Sequence, residues 1–211
     1  MRFRTLSLLL AGLVLPLALA CSGSSSSSSA VAPSPATSLS YSDPSGTGWR
    51  LVKDASSTGT RIVLDLVGPS GTKTRGVGFN LQASPKVKFG VFANGLPIND
   101  TGVYKLLSAA ADPTEPVAII GGVKTGNLLS VGIYQKDRVQ PAQDSGSPLC
   151  QIAIVLDPAQ GISAGDALQL QVVKAKATPE DIGAVSDDLW TLNKKMRMAD
   201  ITVATGSLSA N

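Results

Sequence analysis

The chain is expected to fold as an all-β protein: an antiparallel β-sandwich of about nine strands with one or two short helical excursions. Three observations carry that expectation. Apolar residues recur at every second position, the period of a half-buried strand. Gly, Pro, Asn and Asp cluster between those runs. Almost nowhere does the 3.6-residue period of a helix appear. Many short strands joined by such turns describe a sandwich first and a barrel second.

The elements follow in order. "WRLV" (49–52) is a first apolar run after the turn Asp43-Pro44-Ser45-Gly46. In "TRIVLDLVG", Ile62, Leu64 and Leu66 share a face. After Gly68-Pro69-Ser70-Gly71, Val77, Phe79 and Leu81 share one in "RGVGFNLQ", with Gly78 and Asn80 between them. "VKFGVFA" (87–93) runs to the turn Ala93-Asn94-Gly95, and "VAII" (117–120) is a further run. Leu129, Val131 and Ile133 alternate in "NLLSVGIYQ". Cys150, Ile152, Ile154 and Leu156 alternate in "LCQIAIVLD", which ends at the turn Asp157-Pro158. Beyond Ala164-Gly165-Asp166, Leu168, Leu170 and Val172 alternate with Gln169 and Gln171. Ile201 and Val203 form the last run. Two stretches are expected as helical excursions. "TPEDIGAV" (178–185) offers Thr178 as N-cap, Pro179 at the first helical position and Asp181 three residues on. "TGVYKLLSAAA" (101–111) could form a helical turn.

Ahead of this domain lies a different kind of sequence. Arg2 and Arg4 lead into the apolar run Leu6–Leu15, and Pro16 breaks it. That run is too short for a spanning helix, which needs about 20 residues. Positive charge, a short apolar core and small residues are the parts of a secretory signal peptide, here 1–20. Ala18-Leu19-Ala20-Cys21 resembles the lipobox of bacterial lipoproteins. The small Ala20 before the cysteine fits; Ala18 and Leu19 depart from the commonest order, which has leucine three before and a small residue two before. The resemblance implies a lipid-bearing (palmitate-type acylated) Cys21 and a membrane anchor. Ser22 after the cysteine implies sorting to the outer membrane, on its periplasmic or surface face. The alternative is plain secretion with an unmodified Cys21. Residues 22–38 carry no charge and no aromatic side chain, so they cannot offset their conformational entropy by burial. They read as a disordered tether with a reach of roughly 20–25 Å, leaving 39–211 as a single domain.

Composition narrows the function. Without Arg2 and Arg4 the eighteen basic residues become sixteen, against fifteen acidic ones. That balance argues against a nucleic-acid partner, which calls for a clustered basic face. The chain has no histidine, so a His-dependent triad and a Cys/His zinc site have nothing to build from. With Cys21 lipidated, only Cys150 remains and no internal disulfide framework exists. Cys150 is in phase with Ile152 and Ile154, which places it in the core. No cofactor or metal site is expected.

The candidate contacts are few. Tyr134 is out of phase with Val131 and Ile133, and Trp190 sits in the irregular "DDLWTLNKKMRM"; both are possible ligand-contact aromatics. Trp49, Tyr41 and Tyr104 complete the aromatics available for stacking on sugar rings, although so few in one domain are ordinarily used in the core or at its edge. Asp43, Asp144, Asp187 and Asp188 could offer oxygens to calcium, but no spacing forms a calcium loop and loop aspartates ordinarily stabilise turns. Glu115 and Glu180 are the only glutamates, so a paired-carboxylate glycosidase would have to use aspartates. Lys194-Lys195-Met196-Arg197 is the densest basic cluster. Gly121-Gly122 and Gly126 lack phosphate-loop spacing.

"SAGDALQLQVV" (163–173) and "ADITVATGSL" (199–208) resemble the late and closing strands of the cohesin and carbohydrate-binding-module group of sandwiches. The resemblance implies an extracellular binding domain and assigns no binding residues. Together these readings give one expectation. The chain is a non-catalytic envelope lipoprotein whose sandwich docks another envelope component, with a polysaccharide-binding module as the alternative and a carboxylate enzyme as the third reading.

Overall fold

The structure, a computed structural model, describes residues 32–93, 104–106, 117–135, 142–179 and 198–211; within them, the side chains of 104–106, 117–122, 134, 135 and 179 are outside the description. Fourteen strands follow in chain order: β1 (Leu39–Ser42), β2 (Arg50–Lys53), β3 (Arg61–Val67), β4 (Lys73–Ala83), β5 (Val87–Gly90), β6 (Tyr104–Leu106), β7 (Val117–Lys124), β8 (Leu128–Gln135), β9 (Gln143–Asp144), β10 (Cys150–Leu156), β11 (Ala167–Leu168), β12 (Leu170–Pro179), β13 (Ala199–Asp200) and β14 (Ser207–Ala210). They make three antiparallel sheets. One has the order β2-β3-β10-β5, with β6 on β10 beside β5. The second has the order β13-β12-β4-β8-β7, with β9 on β4. The third is β1-β14-β11. The compact unit they build runs from Pro33 to Asn211.

The alternation seen in the sequence sets the register. Ile62, Leu64 and Leu66 of β3 lie opposite Ile154, Ile152 and Cys150 of β10. Val77, Phe79 and Leu81 of β4 lie opposite Ile133, Val131 and Leu129 of β8. A one-residue slip in either pair would turn every one of these side chains to the wrong face. All twelve belong to a single buried cluster between the sheets. Cys150 is fully buried there, and burial pushes its thiol well above the ordinary range. It is a core residue, as its phase indicated.

The chain ends are laced into the fold. Leu39 to Ser42 of β1 pair with Ala210 to Ser207 of β14. Between β13 and β14 the chain bridges the two large sheets: Ile201 N donates to Ala175 O (3.1 Å) at β12, and Leu51 N of β2 donates to Ala204 O (2.9 Å). Tyr41 ties this crossing down. Its buried hydroxyl donates to Leu51 O (2.9 Å) and accepts from Gly206 N (2.6 Å). Burial pushes the phenol up to about 12, partly countered by the Gly206 bond. The close approach requires glycine at 206, because a Cβ there would sit 1.8 Å from Ser42 O.

Several expectations need correction. Thr178 and Pro179 do not start a helix. They end β12, where Thr178 O accepts from Thr74 Oγ1 (2.8 Å) and Pro179 pairs with Thr74. Continued pairing to β4 outweighs the local cap signal; residues 180–185 lie outside the description. Tyr104–Leu106 of the second excursion is strand β6, paired with Ile152 to Cys150; the rest of that stretch also lies outside. The helical piece among the described residues is a 3₁₀ turn, Pro158–Gln160, where sequence suggested only a turn. Asp157 caps it by accepting from Ala159 N (3.3 Å). Strands β1, β6, β9 and β14, two to four residues long, were not foreseen. The last residues assigned to the tether are held by the domain: Ala36 N donates to Ile162 O (2.9 Å), and Thr37 N and Ser38 N donate to Asn211 O (2.7 and 3.0 Å).

Tyr41→Phe removes both hydroxyl bonds and leaves the ring in place. Two lost buried bonds should cost about 1–3 kcal/mol of folding stability, read by denaturant unfolding. An unchanged midpoint would contradict the role given to Tyr41.

Candidate docking face

The outer face of the six-stranded sheet carries a shallow basin of about 310 Å³. Its floor comes from side-chain size. On β4 the outward positions between Val77, Phe79 and Leu81 are Gly78 and Asn80. On β8 those between Leu129, Val131 and Ile133 are Ser130 and Gly132. Two cross-strand rows result. One runs Lys176, Gly78, Gly132, and the other runs Lys174, Asn80, Ser130. Glycine opposite glycine leaves the first row without side chains over two strands, so the surface sinks there.

The cationic wall depends on an irregularity in β12. Leu170 lies opposite Ala83 and Val172 opposite Leu81, but Lys174, not Val173, lies opposite Asn80. Val173 is the extra residue of a β-bulge and is exposed. Strict alternation from Leu170 and Val172 would point Lys174 and Lys176 inward. The bulge instead sends Ala175 and Ala177 into the core and both lysines outward. Lys124, at the end of β7, lines the basin as well, and Met198 contributes a partly exposed apolar side chain.

Charge and hydrogen bonding are unevenly met. Lys176 Nζ lies 2.6 Å from Asp200 Oδ1 across the β12–β13 pair, with the aspartate side chain 82% exposed. That bond, and the Lys176 and Lys174 charges, hold the Asp200 carboxyl below its ordinary range. Ser130 Oγ is buried in the basin wall without a hydrogen-bond partner. The arrangement presents ammonium groups, a hydroxyl and an amide over a bare backbone floor. It suits an anionic, extended ligand.

The residues singled out from sequence fall elsewhere. Cys21, Trp190, Asp187, Asp188 and the 194–197 cluster lie outside the described residues. Tyr134 is in β8 opposite Gly76 and Ala118, and only its backbone is described. Trp49 and Tyr41 are buried. Asp43 accepts from Lys53 N (2.7 Å), and Asp144 accepts from Gly71 N (3.2 Å) and Gly146 N (2.8 Å), so both aspartates stabilise turns. The basin residues Lys124, Lys174 and Lys176 went unforeseen. The alternation "KAKA" was a usable signal, masked by the phase break at Val173.

Two carboxylates do meet, away from the basin. Asp65 on β3 is 8% exposed, and burial raises its carboxyl, helped by the neighbouring Asp54 charge. Hydrogen bonds from Ser56 hold Asp54 low. Asp65 Oδ1 is buried without a hydrogen-bond partner. Among the described residues no three His, Cys, Asp or Glu side chains group to hold a metal. Nor is any described helix long and apolar enough to cross a membrane.

The fold has counterparts of known structure. A type II cohesin domain from the cellulosome of Acetivibrio cellulolyticus is similar with a TM-score of 0.52 at 6% identity, over 78% of this chain and 95% of that one. The second type II cohesin module of the adaptor ScaA scaffoldin of the same organism gives 0.49 at 9% identity, over 82% and 96%. The cohesin module of a Clostridium perfringens family 33 glycoside hydrolase gives 0.43 at 8%, over 79% and 95%. No family model and no curated protein matches the chain. At such identities the likeness shows the fold: a cohesin-like all-β sandwich.

Proposed function

We propose that this chain is a non-catalytic docking module of the bacterial envelope. Its sandwich binds a protein partner on the outer face of β12, β4 and β8. Lipid on Cys21 holds it to the membrane, by the sorting residue Ser22 the outer one. The observation that carries the docking assignment is the glycine-floored, lysine-walled basin. It is a recessed surface on a rigid sheet with hydrogen-bonding capacity left unused. The cohesin-like fold supports the reading, since the solved domain with a TM-score of 0.52 is a type II cohesin from a cellulosome. The signal-like start, Cys21 and the charge-free serine stretch support the anchor. Several acyl chains, at about 0.8 kcal/mol for each buried CH₂, would hold it firmly.

Two experiments test the two halves. Cys21→Ser should move the protein from the membrane fraction to the soluble one; retention in the membrane would contradict the anchor. For docking, a photo-crosslinking residue replaces Met198 in the basin or Lys53 on β2 of the other sheet. Crosslinking in cells should join one envelope protein to the basin probe and none to the β2 probe. Capture of that protein from β2 alone would move the interface. Capture of no protein from either site would favour a polysaccharide ligand.

A further inference from the structure

We infer that the partner segment seated in the basin is an acidic peptide, and that Asp200 stands in for one of its carboxylates. This rests on the docking reading above and names the chemistry of the same face. Three ammonium groups, those of Lys124, Lys174 and Lys176, line one basin. One of them, Lys176, has an ion-pair partner, Asp200. Among the described residues Lys124 and Lys174 have none. Like charges gathered on one face repel each other, and an acidic ligand relieves that cost as it docks.

The single internal partner is suited to leave. Asp200 ends the two-residue strand β13, and its side chain is 82% exposed. Ion pairs so open to water contribute little. A carboxylate from a partner can therefore take the Lys176 ammonium without a large loss. A second carboxylate then reaches Lys174, two residues along the same strand and on the same face. Alternate side chains of an extended peptide have that spacing. The buried Ser130 hydroxyl and the Asn80 amide supply donors between the lysines, and Met198 adapts to whatever apolar side chain adjoins the acids. Complementary charge of this kind selects partners and speeds encounter more than it adds affinity, so salt should weaken the contact.

The test uses the purified protein and a fluorescein-labelled octaglutamate peptide, followed by fluorescence anisotropy at low and at physiological salt. Binding should weaken with salt. Lys174→Glu should weaken it about tenfold, and Asp200→Asn should tighten it about threefold by freeing Lys176. Lys53→Glu makes the same charge change on the other sheet and should alter it less than about twofold. Equal losses for Lys174→Glu and Lys53→Glu would mean a general charge effect and overturn the inference. So would an Asp200→Asn variant that binds no better. Lys174→Gln, a milder change, checks that any loss is not misfolding. Oligogalacturonate binding with this lysine dependence, without octaglutamate binding, would overturn the peptide assignment. If Met198 crosslinking in cells persists unchanged in Lys174→Glu, the acidic-peptide inference fails while the docking reading stands. Loss of a Met198-specific crosslink in the wild-type chain fails the docking reading itself.

Discussion

The extra residue in β12 is the constraint on which the six-stranded sheet depends. β12 is ten residues long and pairs with β4 along nearly its whole length. A strand of that length with strict alternation has one inward set. The sequence of β12 has two: Leu170 and Val172 before Val173, Ala175 and Ala177 after it. Only a bulge reconciles both with one core. Placing Val173 out of the ladder keeps the core dry and puts Lys174 and Lys176 in water. Core packing and basin charge are thus consequences of one local irregularity.

A second constraint ties the sheets together. The segment Ile201–Thr205 bonds to β12 on one sheet and β2 on the other before β14 pairs with β1. Tyr41 and Gly206 fix where it turns. The described chain thus begins and ends side by side, with Thr37 N and Ser38 N both donating to Asn211 O.

Much of the fold was legible because its long strands are amphipathic. Ile62, Leu64 and Leu66, or Leu129, Val131 and Ile133, announce a period of two, and each proved inward-facing. The short strands were not legible. "SLSA" in β14 holds too few residues for a period to show, and it is a strand because β1 and β11 flank it. Thr178 and Pro179 carry a good helix-start pattern, but pairing with β4 outweighs it. The basin was legible only in part. Gly78 and Asn80 stood out as the polar or empty positions of β4. Nothing in the sequence pairs Gly78 with Gly132, since that depends on register across fifty residues of chain. The lysines were hidden by the phase break. Aromatic side chains, the usual guide to a binding face, drew attention to Tyr134 and Trp190 instead.

The phase of β12 can be measured directly. Single cysteines are placed at 174, 175, 176 and 177, and each folded variant is treated with a small alkylating reagent and read peptide by peptide by mass spectrometry. Buried Cys150 is the internal reference, expected to stay unlabelled until the domain unfolds. The bulge predicts rapid native labelling at 174 and 176, with 175 and 177 protected like Cys150. Protection at 174 and 176 with labelling at 175 and 177 would mean an unbroken strand. The lysines would then face inward, and the basin would lose the charge on which its docking role rests.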